Sequence, residues 1–417
     1  MPKRASSTAT VAGPTLADFE AARTIVSTVT SVTPMESSHF LAEILGSPVF
    51  MKCESLQRTG SYKIRGAYNR ISRLTDEEKA RGVVAASAGN HAQGVAFAAR
   101  ELGIKATIFM PLGVALPKLQ ATRNYGADVV LRGHSVEEPL RAAAEFAEET
   151  GAVLIPPFDH PDVVAGQGTL GLEILDQVPD IQTVVVPIGG GGLISGVASA
   201  LKQKLAALGR DIHVVGVQAE NAAAYPVSLR NGVATEIQTK PTISDGIAVS
   251  KPGLLNFDII SQYVDEVVTV SDDDTARAML MLLERAKLVV EPAGAVAIAA
   301  ILTGKVKATG PTVAILSGGN IDPLVMERVT SPGLVASDRY LKFRMTLPDR
   351  PGQLARIAEL ISEANANVVE VLHTRHNKDA IINDVEIELS LETRGTEHVQ
   401  RVLSHLREAG YEPRIDY

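Results

Sequence analysis

The chain returns again and again to short, continuous apolar runs set between Ala- and Leu-rich stretches: "GVVAAS", "KATIFMP", "ADVVLRG", "AVLIPPF", "TVVVPIGG", "HVVGVQA" and "TVAILSGG". A strand that is apolar at nearly every position must be covered on both faces. Such strands, separated by helices, predict parallel sheets and an α/β fold. Ligands in these folds sit beyond the carboxyl ends of the strands, where several of these runs end in Gly or Ser. At 417 residues the chain is too long for one ordinary core, so two or three domains are expected.

Around Thr330 the pattern changes. "TSPGLVASDR" reads as a turn-rich connector, and residues 16–330 and 340–417 are expected as domains joined by a linker at 331–339. Beyond it, "YLKFRMTLP", "NVVEVLHTRH", "AIINDVEIELSLE" and "YEPRID" read as strands, with amphipathic helices in "RPGQLARIAELISEA" and "TEHVQRVLSHLREAG". This β-α-β-β-α-β order is the ferredoxin-like split motif. The polar opening, residues 1–15, is expected to be a disordered tail.

Charge and composition remove several function classes. A net charge of −8, with 4% aromatic residues and no Trp, argues against a nucleic-acid partner. The N-terminus lacks the apolar core of a signal peptide and no apolar run approaches a membrane span, so no membrane partner is expected. Cys53 is the one cysteine, which excludes an intramolecular disulfide and a cysteine-based zinc cluster and suits a reducing, cytoplasmic setting. It reads as a buried small hydrophobe.

Three strand ends carry chemistry. "VVVPIGGGGLISG" runs from a buried strand through Gly189, Gly190, Gly191 and Gly192 to a helix start at Leu193. Backbone N–H groups freed by glycines, with the positive end of a helix, suit a phosphate. A tight turn alone would need one or two glycines. It is not a Walker loop, and Ile194 breaks the G-x-G-x-x-G of a dinucleotide site, with Glu220 too loosely placed as a ribose acid. "ASAGNHAQG" places Ser87, Ala88, Gly89, Asn90 and His91 at another helix start, fit for a carboxylate or phenolic oxygen, although an N-cap on a core helix reads equally well. "AILSGGN" delivers the Ser317 hydroxyl, which alone is turn chemistry. A fourth feature, Lys63 in "GSYKIRGAY", is either a solvated helix-start residue or a reactive amine. A phosphate cradle, an anion-binding helix start, a hydroxyl and an amine together fit pyridoxal 5'-phosphate, whose aldehyde needs an amine.

"TGSYKIRGA", "ASAGNHAQG", "MPLGVALPK", "TRNYGADVVLRG", "GQGTLGLEI", "VVPIGGGGLISG", "KLVVEPAGA" and "ILSGGNID", in this order from about Thr33 to Asp322, resemble the two-lobed, tryptophan synthase β-like fold-type II pyridoxal-phosphate enzymes, specifically threonine dehydratases. The resemblance implies β-elimination of L-threonine, and of L-serine, to a keto acid and ammonia. It makes Lys63 the Schiff-base lysine and α-proton acceptor, and gives the phosphate to Gly189 through Leu193. Asn90 becomes the donor to the ring 3'-oxygen, Ser317 the partner of the pyridine nitrogen, and Ser87 to His91 the substrate-carboxylate loop. A neutral hydroxyl at the ring nitrogen makes the ring a weaker electron sink, favouring prompt elimination. Glu291 and Asp245, in matched stretches, either support the site or cap helices.

Departures from the pattern carry expectations too. Serine racemases of this fold have a second serine where this chain has Ala88, so no appreciable racemisation is expected. Their divalent-metal site corresponds to Gln218 and Ala224, so no metal is expected there. Residues 340–417, with "LPDRPGQLARIAELISEANANV", resemble an ACT domain, which implies an amino-acid effector near Arg350, Gly352, Gln353, Leu354, Asn365 and Asn367; a module that only joins subunits is the alternative. A homotetramer follows from the resemblance alone. Threonine and cysteine synthases use S-x-K-D-R where Ile64 and Arg65 follow Lys63 here; that family and a non-catalytic amino-acid sensor remain the alternatives.

Overall fold

The computed structural model describes residues 13–135, 137–308, 310–336, 338–375 and 384–415. They form two compact units, Met1–Pro323 and Leu324–Tyr417. In the first unit the strands are β1 (Met35–Ser37), β2 (Val49–Lys52), β3 (Val83–Ala86), β4 (Ala106–Met110), β5 (Asp128–Leu131), β6 (Val153–Leu154), β7 (Thr183–Pro187), β8 (His213–Ala219), β9 (Glu266–Val270) and β10 (Thr312–Ile315). They pair in two sheets, β1-β2-β10-β7-β8-β9 and β5-β4-β3-β6. Every pairing is parallel except β1 with β2.

All the quoted apolar runs are strands, and β4, β7 and β10 are buried at every position. Helices on both faces are the reason, and burying each Val of β7 contributes about 1.5–3 kcal/mol. The patterning did not announce β1, β2 or β9, which are short or carry charged residues.

Helix packing sets the position of the lysine noted above. Lys63–Ser72 crosses helix Pro161–Gln177 so closely that a Cβ on Gly166 would lie 2.5 Å from the Arg65 carbonyl oxygen. Only glycine permits that approach.

The expected tail and linker both need correction. Residues 1–12 lie outside the described residues, but Pro14 is buried, its carbonyl accepts from Gln203 Nε2, and Thr15 caps helix Leu16–Val26 through a reciprocal bond with Asp18. The expected connector at 331–339 is in large part helix: Pro323–Ala336 is one α-helix. Pro332 and Gly333 read as breakers in sequence, yet the helix passes them, losing at Pro332 one backbone hydrogen bond.

The second unit continues with β11 (Tyr340–Pro348), β12 (Asn367–Thr374), β13 (Asp384–Glu392) and β14 (Arg414–Ile415), and with helices Gln353–Glu363 and Thr396–Glu408. The sheet order β12-β13-β11-β14, antiparallel throughout, is the ferredoxin-like arrangement. Alternating residues of β11, Leu341, Phe343, Met345 and Leu347, pack on Ile357, Leu360 and Val402 of the helices. The stretch "AIIN" at the expected start of β13 lies outside the described residues.

Candidate active site

Lys63 opens its helix at the carboxyl side of the turn Thr59–Tyr62, half-buried, with its Nζ donating to the Pro157 carbonyl at 2.9 Å. Burial pulls its pKa down to about 8, against the opposing charge of Glu291. A lysine so placed is more readily deprotonated than a solvated one, as a reactive amine requires.

The residue after Pro157, Phe158, packs against the glycine loop. Phe158 stacks over it, so a Cβ on Gly190 would meet the ring at 2.4 Å, and Gly191 takes a left-handed φ of 101° to start helix Gly192–Ala206. The Gly190 carbonyl accepts from the Tyr225 hydroxyl at 3.0 Å, the Gly253 amide at 3.2 Å and Asn256 Nδ2 at 3.3 Å, which turns the loop's carbonyls outward. Among the described residues the amides of Gly189 to Leu193 have no acceptor. Unpaired N–H groups at a helix N-terminus fit a phosphate dianion. Gly190→Ala should weaken affinity for a phosphate-bearing cofactor at least tenfold, checked by titrating the apoprotein with pyridoxal phosphate and following fluorescence.

Ser317 follows β10 and is buried; its carbonyl accepts from the Tyr62 amide at 3.2 Å, and its hydroxyl bonds to no other described residue. Asn90 begins helix Asn90–Glu101, and its Nδ2 donates to Glu291 Oε1 at 2.6 Å. The amides of Asn90, His91 and Ala92 lack acceptors among the described residues, leaving a donor set at the helix start. Ser87 turns inward on the loop, its Oγ accepting from the Gly89 amide at 3.1 Å. His91 can offer only its backbone there. Its Nε2 donates to the Ile155 carbonyl at 2.9 Å, and burial, then the charge of Lys63, hold its pKa down at about 3. The ring is therefore neutral and structural. Ala88 adds no hydroxyl to the loop.

Glu291 stands at the N-cap position of helix Pro292–Leu302 but makes no side-chain capping bond, its Oε1 instead accepting from Asn90. Burial raises its pKa to about 7, and nearby Asp245 pushes the same way, while Lys118, Asn90 and Lys63 oppose. Asp245 itself is exposed and pairs with Lys118 at 3.3 Å. Because the folded pKa of Glu291 lies above its ordinary 4.5, the folded state holds the proton longer and stability falls as pH rises from about 4.5 to about 7. Glu291→Gln should abolish that fall, on the order of 3 kcal/mol, in urea unfolding of the apoprotein across the window.

Sequence reasoning missed the support beneath Lys63. Arg65, two residues on, donates from Nε and Nη2 to Glu54 at 2.8 Å each, and from Nη2 to Glu173 at 2.9 Å. Lys52 Nζ contacts Glu173 at 2.5 Å, the Thr33 carbonyl at 2.8 Å and Gln177 at 2.7 Å. Burial would push Glu54 upward, but the Arg65 charge and its hydrogen bonds hold the carboxyl below the usual range. Two cations and two carboxylates make the cluster neutral. The available signal was the fully charged character of positions otherwise set in apolar surroundings.

Gln218 occupies the position where a divalent-metal ligand was considered. Its amide accepts from the Tyr225 amide at 2.8 Å and donates to the Ala222 carbonyl at 3.3 Å, closing that turn with side-chain hydrogen bonds. No group of three or more His, Cys, Asp or Glu suited to a metal occurs among the described residues. Cys53 is buried, and burial pushes its thiol up to about 12, so it packs as a hydrophobe. Among the described residues no helix is long and apolar enough to cross a membrane.

In the second unit, Gly352 starts helix Gln353–Glu363 with φ 91°, flanked by Arg350 and the half-exposed Leu354, and Gln353 Oε1 accepts from the Tyr411 hydroxyl at 3.3 Å. Asn365 and Asn367 lie at the other end of that helix, Asn365 with a left-handed φ of 59° and Asn367 bonded to Glu392. At about 1.5 Å per residue the helix separates these groups by roughly 16 Å. Within one chain they do not form a single pocket for an amino acid.

A doubly covered parallel sheet, a glycine phosphate cradle and a buried lysine define a fold-type II pyridoxal-phosphate enzyme. Residues 26–318 match the family described as pyridoxal-phosphate dependent enzyme, and residues 339–410 match the ACT domain. The chain belongs to the pyridoxal-phosphate-dependent enzyme family and carries a C-terminal ACT domain. It is 48% identical to an L-threonine ammonia-lyase of Thermotoga maritima over 96% of this chain and 99% of that one. Its fold is similar to threonine deaminase isoform 2 from Solanum lycopersicum, at a TM-score of 0.71 and 38% identity over 79% of this chain and 98% of that chain. Maize serine racemase aligns with a TM-score of 0.72 and 36% identity over 76% of this chain and 96% of that one.

Proposed function

We propose that this protein is an L-threonine ammonia-lyase that also accepts L-serine, with its activity tuned by an amino acid at the ACT domain. The carrying observation is the joint placement of the depressed Lys63 amine, bonded to Pro157 next to the Phe158 that packs on the glycine loop, with Ser317 bonded to the neighbouring Tyr62 amide and Asn90 bonded to Glu291. Pyridoxal phosphate, when bound, supplies an aldehyde for amines and an electron sink for a bond at the amino acid's α-carbon.

The chain's own residues do the rest. Amides of Gly189 to Leu193 would hold the phosphate, the remaining Asn90 N–H would serve the ring oxygen, and the neutral Ser317 hydroxyl would serve the ring nitrogen as a hydrogen-bond partner. The helix-start amides at Asn90 and His91, with the Ser87 loop, receive the substrate carboxylate. Lys63, with a pKa near 8, would take the α-proton at Nζ, and that proton and the β-hydroxyl would leave together as the elements of water, while Phe158 packs over the glycine loop. Asp245 and Glu291 support the site rather than touch substrate. One methyl group gives only about 10 to 200-fold discrimination, so serine turnover accompanies threonine turnover.

The ACT domain is proposed to bind its effector between paired modules, because the two candidate clusters on one chain stand at opposite ends of a helix. A homotetramer in the cytoplasm fits that pairing and the reduced Cys53. The test is the purified holoenzyme with L-threonine: a yellow protein that forms 2-oxobutanoate and ammonia supports the reading. A yellow protein releasing no keto acid from threonine or serine favours a synthase, and a protein that does not bind pyridoxal phosphate favours a sensor. Chiral analysis of recovered serine checks Ala88: D-serine should stay far below pyruvate, and comparable amounts would overturn the expectation of no racemisation.

A further inference from the structure

Asn90 is held by a directed chain of hydrogen bonds that begins at a backbone carbonyl. The Thr59 carbonyl can only accept, so the side-chain atom of Asn320 facing it at 2.7 Å must be Nδ2. The other hydrogen of that nitrogen goes to Asn90 Oδ1 at 2.8 Å, ahead of the longer 3.4 Å approach to Gln93. Asn90 Oδ1 is thereby an acceptor, which turns its Nδ2 toward Glu291 Oε1 at 2.6 Å. One Nδ2 hydrogen is spent on Glu291 and one is left.

Glycines make room for both ends of this chain. A Cβ on Gly60, which has φ 72°, would lie 2.2 Å from Asn320 Oδ1, and a Cβ on Gly318 would lie 2.3 Å from Glu291 Oε1 and 3.0 Å from Asn90 Nδ2. The Gly60 carbonyl in turn accepts from the Gly319 amide at 2.8 Å, and the Glu291 amide donates to the Gly318 carbonyl at 3.0 Å. The turn ahead of Lys63, the segment after Ser317 and the start of the Asn90 helix are thus fastened to one another through Asn320.

We infer that Asn320 and Glu291 are positioning residues that fix the amide of Asn90 in one orientation, so that it presents a donor and not an acceptor to the ring oxygen of the cofactor. The inference rests on the proposed use of pyridoxal phosphate at this site. Thr59, not Glu291, sets the direction, because a carboxyl accepts at Oε1 whether or not its other oxygen is protonated.

The isosteric change Asn320→Asp isolates orientation from packing. A carboxylate at this position faces the Thr59 carbonyl and Asn90 Oδ1 with acceptors, so Asn90 rotates to donate to it and turns its carbonyl oxygen to Glu291. The apoprotein is titrated with pyridoxal phosphate, and its thermal unfolding and the visible spectrum of the loaded protein are recorded. Expected are a cofactor affinity at least tenfold weaker and a displaced visible band, with apoprotein melting within a few degrees of wild type. Glu291→Gln, which keeps an acceptor for Asn90, should lose less cofactor affinity than Asn320→Asp, and an equal or larger loss would contradict the primacy of Asn320. If Asn320→Asp binds the cofactor with wild-type affinity and spectrum, the inference fails. Should it not fold, Asn320→Ser, which has a single hydrogen to give, is held to the same affinity and spectral criteria. Failure of the wild-type protein to bind pyridoxal phosphate would instead remove the underlying reading.

Discussion

Lys63→Ala is expected to lower kcat for threonine elimination by about 10⁴-fold or more while leaving the apoprotein at least as stable as wild type. The loss follows from the proposed role of this one amine as both covalent anchor and proton acceptor. The stability expectation has the opposite sign from an ordinary core truncation. Lys63 has a pKa depressed from 10.5 to about 8, so the folded state binds fewer protons than the unfolded chain between those values and stability rises with pH across them. At neutral pH the buried ammonium therefore costs on the order of 3 kcal/mol, which removal of the side chain relieves. Among the described residues the one side-chain hydrogen bond forfeited is that to the Pro157 carbonyl. Steady-state assays with keto-acid detection, together with urea unfolding of the apoprotein at pH 7 and pH 10, measure both parts. A variant destabilised at pH 7 would contradict the assignment of a strained, desolvated amine.

Arg65→Ala should be the most damaging change for folding, at about 3–5 kcal/mol. Arg65 is 1% exposed and neutralises Glu54, which is fully buried, so its loss leaves an uncompensated carboxylate in the interior. Arg65→Lys does not rescue it, because an ammonium cannot reproduce the bidentate bond to Glu54 together with the bond to Glu173. Removing the pair is gentler than removing one member. Arg65→Met with Glu54→Leu leaves Lys52 and Glu173 still matched at 2.5 Å, and the double variant should be more stable than Arg65→Ala alone. Chemical unfolding of the three variants at neutral pH decides this, and a double variant less stable than the single one would show that the ion cluster holds the fold beyond its charge balance.

What could be read from sequence was local in the chain. The glycine loop is a strand, a turn and a helix start within a dozen residues, so its backbone requirements are written in consecutive letters. The strands β3, β4, β7, β8 and β10 declared themselves by apolar runs buried on both faces, whereas the edge strands β5 and β6 kept apolar runs although partly exposed. The ferredoxin-like order of the second unit followed from periodicity in the same way. The helix Pro323–Ala336 did not, because Pro332 and Gly333 are breakers by local rule and a continuing helix outweighs one lost hydrogen bond.

The site residues divide along the same line. Lys63, Asn90, Ser317 and the four glycines stand in short motifs and were visible, whereas Asn320 lay two glycines past Ser317 and gave no sign of its partners. Its bonds to Thr59 and Asn90 close over 261 and 230 residues, and the Arg65 cluster joins positions 11, 108 and 121 apart. The sequence by itself determined the class of fold and singled out the candidate site residues, because turns, helix starts and buried strands obey short-range sterics. Only the tertiary structure decided which way the Asn90 amide faces, how far Lys63 and Glu291 move from their ordinary pKa values, and what counters the charge of Arg65. Each of these is set by desolvation and hydrogen-bond partners brought together from distant parts of the chain, and no window of consecutive residues contains them.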